Sequence, residues 1–494
     1  MTHWIIVPVV LPAMLGALIL LFAKSLAWQR AWSLAGTFAL WGLACALLAF
    51  ATLNGPEVYR LGNWPAPFGI VLMLDRLSGL MVWITATLAL IAQIYAVASG
   101  WDARGKHFHS LWQFQLMGLC GAFLTGDAFN LFVFFEVLLI ASYGLMVHGG
   151  GSVRTRAGVQ YVAVNLLGST LFLFALATVY AVTGTLNMAD LAVKLTSLPA
   201  GDAGLMRAAC VLLMLVFAIK GALVPVQFWL PGTYAAAPGV VAALFAVMTK
   251  VGAYAVLRFG TLVFPASSPV TGGLVGDLLL PAALATLIIG AVGVLGASTL
   301  PRMVAFAAIA SMGTLFTAIA GFTPASTAAA LYYALHATFA TAAMFLIADL
   351  VATHRGRLTL TGGGPGMAGI LAALFLAAAI GMAGMPPLSG FIGKLLVLQA
   401  LRDQAGLVWP VVLITSLITM VGFGRAGSSL FWKTEGPGIR PAPWTLAPPL
   451  LLLALLAALT AFAGPVTDWT MATAAYLHDP AAYIAANTLY EVPQ

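Results

Sequence analysis

The sequence predicts an all-α polytopic membrane protein with about fourteen transmembrane helices. Three observations predict it. Of 494 residues, 62% are hydrophobic and only 7% are charged, against roughly 25% charged in a soluble domain. Mean hydropathy is +1.04. Apolar runs of about 20 residues, the length that crosses a bilayer, recur from end to end. No soluble fold hides this much apolar surface. The net charge of +7 is scattered over short loops without a basic patch or stripe, which excludes a nucleic-acid partner.

Helix 1 is expected near 4–23. The start, MTHW, lacks a basic n-region, so this run reads as a retained helix and not a cleaved signal. Helices 2 and 3 follow near 31–53 and 72–98. Between them, 54–71 carries Pro65 and Pro67 and reads as a short extramembrane hairpin. Helices 4 to 8 lie near 110–126, 129–148, 158–183, 206–230 and 238–262. Helices 9 to 13 lie near 275–297, 301–321, 326–350, 367–401 and 408–430. Helix 14 is near 446–464, and the tail 465–494 is polar enough to lie outside the bilayer. The expected units are 1–105 (helices 1–3), 106–265, 266–435, and 436–494 (last helix and tail).

Lys and Arg set the orientation. Loops after odd-numbered helices hold Lys24, Arg30, Arg104, Lys106, Arg154, Arg156, Arg302, Arg355, Arg357, Arg425, Lys433 and Arg440. The other side holds half as many: Arg60, Arg76, Lys194, Arg207, Arg258 and Arg402. The richer side is expected in the cytoplasm, with both termini outside. Cys45, Cys120 and Cys210 each lie in an apolar stretch and read as core residues, since their spacing suits neither a metal nor a disulfide framework. No metal or cofactor is expected.

Four ionisable residues interrupt apolar helices: Glu136 in FVFFEVLLIASYGL, Lys220 in LMLVFAIKGALVP, Lys250 in VMTKVGAYAV and Lys394 in GMPPLSGFIGKLLVL. Each charge near the bilayer centre costs roughly 2.5–3.5 kcal/mol, so four cost on the order of 10–14 kcal/mol. That matches the stability of a whole domain, about 5–15 kcal/mol. Such residues read by default as a path for protons or ions.

Two of these helices should be broken. Helix 7 carries Lys220 followed by Pro225 and Pro231, and helix 12 carries Pro386-Pro387 followed by Lys394. Proline removes a backbone donor, and backbone freed at membrane depth must line a cavity or be buried in protein. Paired broken helices at matching places in two five-helix groups point to a transport site. The alternative is a pair of ordinary proline kinks.

A proton carrier must change charge near working pH. Desolvation disfavours a lysine's charged form, and a nearby carboxylate favours it. A Glu–Lys pair that approaches and separates is thus a switchable proton affinity. Glu136 is expected to pair with Lys220 in this way; the alternative is a static ion pair. His336, mid-helix in ALHATFATAAMFLIAD, suits a relay between lysines. Asp75 and Asp349 fall near helix ends and read as interfacial or capping residues, and the aromatics of Phe132–Phe135 read as core packing.

KGALVPVQFWLPGTYAAAP from Lys220 to Pro238, VMTKVGAYAVLRF, GMPPLSGFIGK, and Glu136 in its segment together resemble the core of antiporter-like membrane subunits. These occur in multisubunit (Mrp-type) monovalent cation/proton antiporters, in respiratory complex I and in membrane-bound hydrogenases. The resemblance spans roughly 70–430. Length, helix number and the helix 12 lysine look most like the D subunit of the Mrp-type antiporter. The resemblance implies two inverted five-helix repeats, helices 4–8 and 9–13. It implies a proton path through the Glu136–Lys220 pair, Lys250, His336 and Lys394. One departure stands out: many relatives carry a lysine five residues after the helix 11 histidine, where this chain has Thr341. LPRMVAFAAIASMG also lacks serine and tyrosine residues common in the matching segment.

The function expected is the proton-translocating subunit of a monovalent cation (Na⁺ or K⁺)/proton antiporter in the bacterial inner membrane, partnered by other membrane subunits. The first rival is a proton-pumping subunit of complex I or a hydrogenase, whose redox chemistry would live in partners. The second is a scaffold that keeps the charged motif as packing.

Overall fold

A computed structural model describes residues 2–363, 365–439 and 441–489, so Arg440, counted above, lies outside the described residues. The chain opens with α1 (Val7–Leu21), α2 (Leu26–Asn54), a hairpin of β1 (Glu57–Arg60) and β2 (Val71–Leu74), and α3 (Arg76–Ser99). Then come α4 (Phe108–Leu124), α5 (Ala128–Met146), α6 (Ser152–Thr183), the short α7 (Met188–Lys194), α8 (Ala203–Gly221), α9 (Trp229–Ala236) and α10 (Gly239–Arg258). Next are α11 (Leu274–Gly296), α12 (Leu300–Ala320), α13 (Pro324–Arg355), β3 (Pro365–Met367), α14 (Gly369–Ala383), α15 (Ser389–Ala400) and α16 (Ala405–Gly427). The chain closes with β4 (Glu435–Ile439), α17 (Pro443–Ala461), α18 (Ala463–His478) and α19 (Ala481–Asn487).

The fold is all-helical and multi-pass. Among the described residues, eleven helices are long and apolar enough to cross a membrane, and α1, α14 and α15 are shorter apolar helices. Each of the fourteen expected stretches falls on helical backbone, and candidates 7 and 12 are split, into α8/α9 and α14/α15. The 54–71 segment forms the expected antiparallel hairpin, but its second strand runs on to Leu74 and is buried throughout. The tail is helical: α18 packs on α13, where Thr327 and His478 bond at 2.9 Å. A small parallel pairing of β3 with β4 was not foreseen.

Burial divides the bundle. The most apolar windows of α3, α10, α12 and α13 are 78–100% buried, against 33–56% for the other seven spans. A helix that is apolar all round belongs inside, and these four form the centre. Close packing at the rim rests on glycine. A Cβ on Gly118 of α4 would lie 2.6 Å from the Leu138 backbone of α5, and one on Gly313 of α12 would lie 2.5 Å from the Leu287 backbone of α11. Small residues let membrane helices approach backbone to backbone.

The loop assignments need correction: Arg30, Arg154, Arg156, Arg207, Arg302 and Arg425 lie within helices, near their ends, and one arginine lies in the interior. Arg258, assigned above to a loop, is the last residue of α10, only 2% exposed. Its partner is the N-cap of α3, Asp75, with Nη1 and Oδ2 2.6 Å apart. Hydropathy finds helix ends only to within several residues, and the pairing carboxylate lies 183 positions away. Asp75 does cap α3, as expected, accepting from the Ser78 amide at 2.8 Å.

Candidate functional site

The breaks in α8/α9 and α14/α15 prepare the site. α8 ends at Gly221, and Ala222 turns into the left-handed region at φ 54°. Backbone groups freed by this break find partners nearby. The Val224 amide donates to Thr286 Oγ1 of α11 at 2.8 Å, and Trp229 Nε1 of α9 donates back to the Ile219 carbonyl at 3.0 Å. This satisfies the rule that open backbone at membrane depth must be buried in protein. Lys220 sits in the last turn of α8 and is 7% exposed.

Glu136 and Lys220 do not form a direct ion pair: the ion pairs among the described residues are Arg30–Asp102, His109–Asp102, Lys194–Asp190 and Arg258–Asp75. α6 stands between them. Lys220 Nζ donates to Asn165 Oδ1 at 2.8 Å, and the Ser169 hydroxyl donates to Glu136 Oε1. Asn165 and Ser169 are four apart on one helix and therefore share a face. In place of the expected pair stand two separate contacts on one face of α6, one holding each charge, while Asn165 Nδ2 donates to the Tyr161 carbonyl at 2.8 Å. Phe135 adds its ring face, 5.6 Å from the Lys220 ammonium. Neither Asn165 nor Ser169 was singled out from the sequence, although two polar residues at that spacing in an otherwise apolar segment were visible.

Lys250 is 2% exposed, and its ammonium has no hydrogen-bond partner among the described residues. It borders a cavity of about 20 Å³. Room of that size holds about one water molecule.

The second break joins His336 to Lys394. His336 is 2% exposed, and its Nδ1 meets the Ser389 hydroxyl, at the start of α15, at 3.0 Å. Gly390 permits this closeness, since a Cβ there would lie 2.8 Å from His336 Nε2. Lys394 lies one turn further along α15. Its ammonium reaches back across the break to the Ala383 carbonyl, the last of α14, at 2.9 Å, and to Ser416 Oγ of α16 at 2.8 Å. A cation at a helix C-terminus faces the negative end of the dipole. Gly384, at φ 76°, lies beneath the lysine stem, where a Cβ would meet Cδ at 2.6 Å. Thr341 is buried, and its hydroxyl donates to Met382 Sδ at 3.9 Å. On α12, Ser311 meets the hydroxyl of Tyr333 at 3.4 Å, and the Tyr333 ring lies 5.6 Å from the His336 ring. Asp349, read above as interfacial, accepts from Tyr95 at 2.6 Å and Trp101 at 2.9 Å, tying α13 to α3 and its following loop.

Chemically, the arrangement holds one carboxylate, three amines and one imidazole on five different helices, each beside a neutral hydroxyl, amide, carbonyl or small cavity. Groups of these types can take up and give up protons.

Comparison with known proteins agrees. The family model described as NADH:quinone oxidoreductase/Mrp antiporter, TM, matches residues 125–419. The D subunit of a probable K(+)/H(+) antiporter of Rhizobium meliloti (strain 1021) is 38% identical, covering 96% of this chain and 95% of that protein. The D subunit of the Na(+)/H(+) antiporter of Bacillus subtilis (strain 168) is 36% identical, covering 98% and 99%. A chain in the structure of the Mrp complex from Dietzia sp. DQ12-45-1b superposes with a TM-score of 0.89 at 27% identity, covering 99% of this chain and all of that one. A match of this extent across the region that carries all five charged residues settles the relationship: the chain belongs to the NADH:quinone oxidoreductase/Mrp antiporter family of membrane subunits.

Proposed function

We propose that this chain is the proton-carrying D subunit of a multisubunit monovalent cation/proton antiporter in the bacterial cell membrane. It is a secondary transporter subunit and not an enzyme. The observation that carries the reading is the Glu136–Ser169 and Asn165–Lys220 bridge beside the broken helix. A carboxylate moving toward an ammonium favours the charged amine, and moving away favours release. With Asn165 and Ser169 holding the two apart at rest, a small shift of α6 changes how strongly Lys220 holds its proton. From Lys220 the proton passes to Lys250, then His336, then Lys394 through the Ser389 hydroxyl. Similarity to antiporter subunits along nearly the whole chain favours this over the complex I reading.

The two five-helix groups, 106–265 and 266–435, are inverted repeats in this proposal. Glycine pairs support it. Gly118 and Gly121 of α4 face α5, and Gly290 and Gly293 of α11 face α12, the same spacing at the first helix of each group. The face bearing both chain ends is the outer one, and the arginine-rich loops are cytoplasmic.

The test is Lys220→Ala and Glu136→Ala in the whole complex. Cation-dependent pH change in everted vesicles should be abolished while native gels still show assembly. Normal exchange by either assembled variant sinks the reading, and it is also what the scaffold reading requires.

A further inference from the structure

α10 carries more than Lys250. Tyr254 and Arg258 follow at four-residue spacing, so the three side chains lie along one face. Lys250 and Tyr254 both border the cavity of about 20 Å³ between α3, α10, α12 and α13, whose other walls are apolar. The Tyr254 hydroxyl donates to the Phe123 carbonyl at 2.8 Å. Its ring lies 5.5 Å from the Arg258 guanidinium. Arg258 and Asp75 form a buried pair, with Nη2 donating to Oδ1 at 2.9 Å. Beyond them comes α19. Tyr483 lies with its ring 5.1 Å from the same guanidinium. The hydroxyls of Tyr483 and Tyr476 are buried and have no partner among the described residues.

Apart from Lys250, the relay from Glu136 to Lys394 uses none of these groups. Buried hydroxyls in native proteins find a partner, from protein or from water. A buried ion pair adds little stability against apolar packing, so stability alone does not account for Asp75–Arg258. Together they form a polar line from a central lysine to the face where both chain ends lie.

We propose that Lys250 has its own proton exit, a branch running along α10 through the one-water cavity and Tyr254, past the Asp75–Arg258 pair, and closed by the tyrosines of the C-terminal helices. It rests on the reading that Lys250 carries protons. The step balances simply. The Lys250 ammonium gives a proton to a water in the cavity. That water passes one to the Tyr254 oxygen while the phenol, turning from the Phe123 carbonyl, gives its own to outer water that enters when the tyrosines of the C-terminal helices part, and that water carries it away as hydronium. The amine is left neutral and one proton has moved.

The experiment uses the complete complex in proteoliposomes with an entrapped pH dye and choline as the only external cation. Tyr483→Ala should raise proton flux after an acid pulse several-fold over wild type. Adding Tyr254→Phe, which keeps the ring 5.1 Å from Phe123, should return the flux to the wild-type level. Tyr254→Phe alone should lower maximal cation-coupled exchange several-fold at unchanged half-saturating cation. An assembled Tyr483→Ala complex as tight as wild type overturns the branch, as does a leak that persists with Tyr254→Phe. Should Tyr483→Ala fail to assemble, Tyr254→Phe decides alone, and unchanged maximal exchange overturns the branch. Lys250→Ala separates the two levels. Normal exchange there sinks the underlying relay, whereas lost exchange with silent tyrosine variants sinks only the branch.

Discussion

Asn165→Leu tests the bridge more sharply than removing either charge. The Asn165 side chain accepts from the Lys220 ammonium at 2.8 Å, and Asn165 is 1% exposed, so no bulk water stands ready to replace it. Leucine nearly preserves the volume and removes the acceptor. A hydrogen bond to a charged group is worth about 1.5–3 kcal/mol. At about 1.4 kcal/mol per factor of ten, the proton-loaded amine loses roughly ten- to a hundredfold in population relative to the neutral one. Maximal antiport should fall by about the same factor if loading Lys220 limits turnover. Ser169→Ala removes the donor to Glu136 and should also slow exchange. Because the two residues serve one assembly, the double variant should cost less than the two singles combined, the signature of coupled sites. The assay is initial cation-dependent pH change in everted vesicles, normalised to assembled complex on native gels. An assembled Asn165→Leu complex exchanging at the wild-type rate would refute the bridge and leave Lys220 acting by a different contact.

Lys394→Ala should be severe and Lys394→Glu milder, read by the same vesicle assay. A glutamic acid can donate its proton to the Ala383 carbonyl that the ammonium now contacts, whereas alanine leaves that helix end open; wild-type exchange by alanine would take helix 12 off the path. Asp102→Asn should cost stability and not transport. Burial raises the Asp102 carboxyl, but hydrogen bonds from His109 and Arg30 bring it down from 3.8 to about 2. A lowered carboxyl contributes stability above its unfolded value, and that contribution fades as pH falls through 3.8 toward 2. The half-exposed Arg30 partner dilutes it, so the substitution should cost at most about 2 kcal/mol at neutral pH. Its effect on thermal unfolding should vanish once pH falls below about 2; a constant difference across pH would refute the ion-pair account.

The five charged positions were legible in the sequence because a charge in an apolar run is costly wherever the chain goes. The breaks were legible because proline acts locally. The bridge was not. Asn165, Ser169, Ser389 and Ser416 are ordinary residues in membrane helices, and only the packing of α6 between α5 and α8, or of α15 against α13 and α16, selects them. Asp75–Arg258 was hidden for a related reason. Each residue reads as a helix end, and nothing local shows that two ends meet in the interior. The strand β4 gave no pattern, since its segment EGPGI has no alternation and lies far from PGM, its partner.

The division of labour within the complex follows from the same accounting of charge. A monovalent cation moving through protein needs several oxygen ligands, often including carboxylates. Along the proposed relay the one carboxylate is Glu136, which accepts from Ser169. The other titratable groups there are three lysines and a histidine, which repel a cation whenever they hold a proton. At the outer end Asp75 is bound by Arg258, and Asp127 caps α5 by accepting from the Asn130 amide. On the function proposed above, the chain is equipped for the proton half of antiport, and the cation path is proposed to lie on a partner subunit or at an interface with one. Expressed alone in a host lacking its own antiporters, the chain should insert and yet confer neither growth under Na⁺ or K⁺ stress nor cation-dependent pH change in vesicles. Co-expression with its neighbouring membrane subunits should restore both. Robust exchange by the lone chain would show that the lysines and the cation share one route, and the assignment of Glu136 to Lys220 alone would have to be given up.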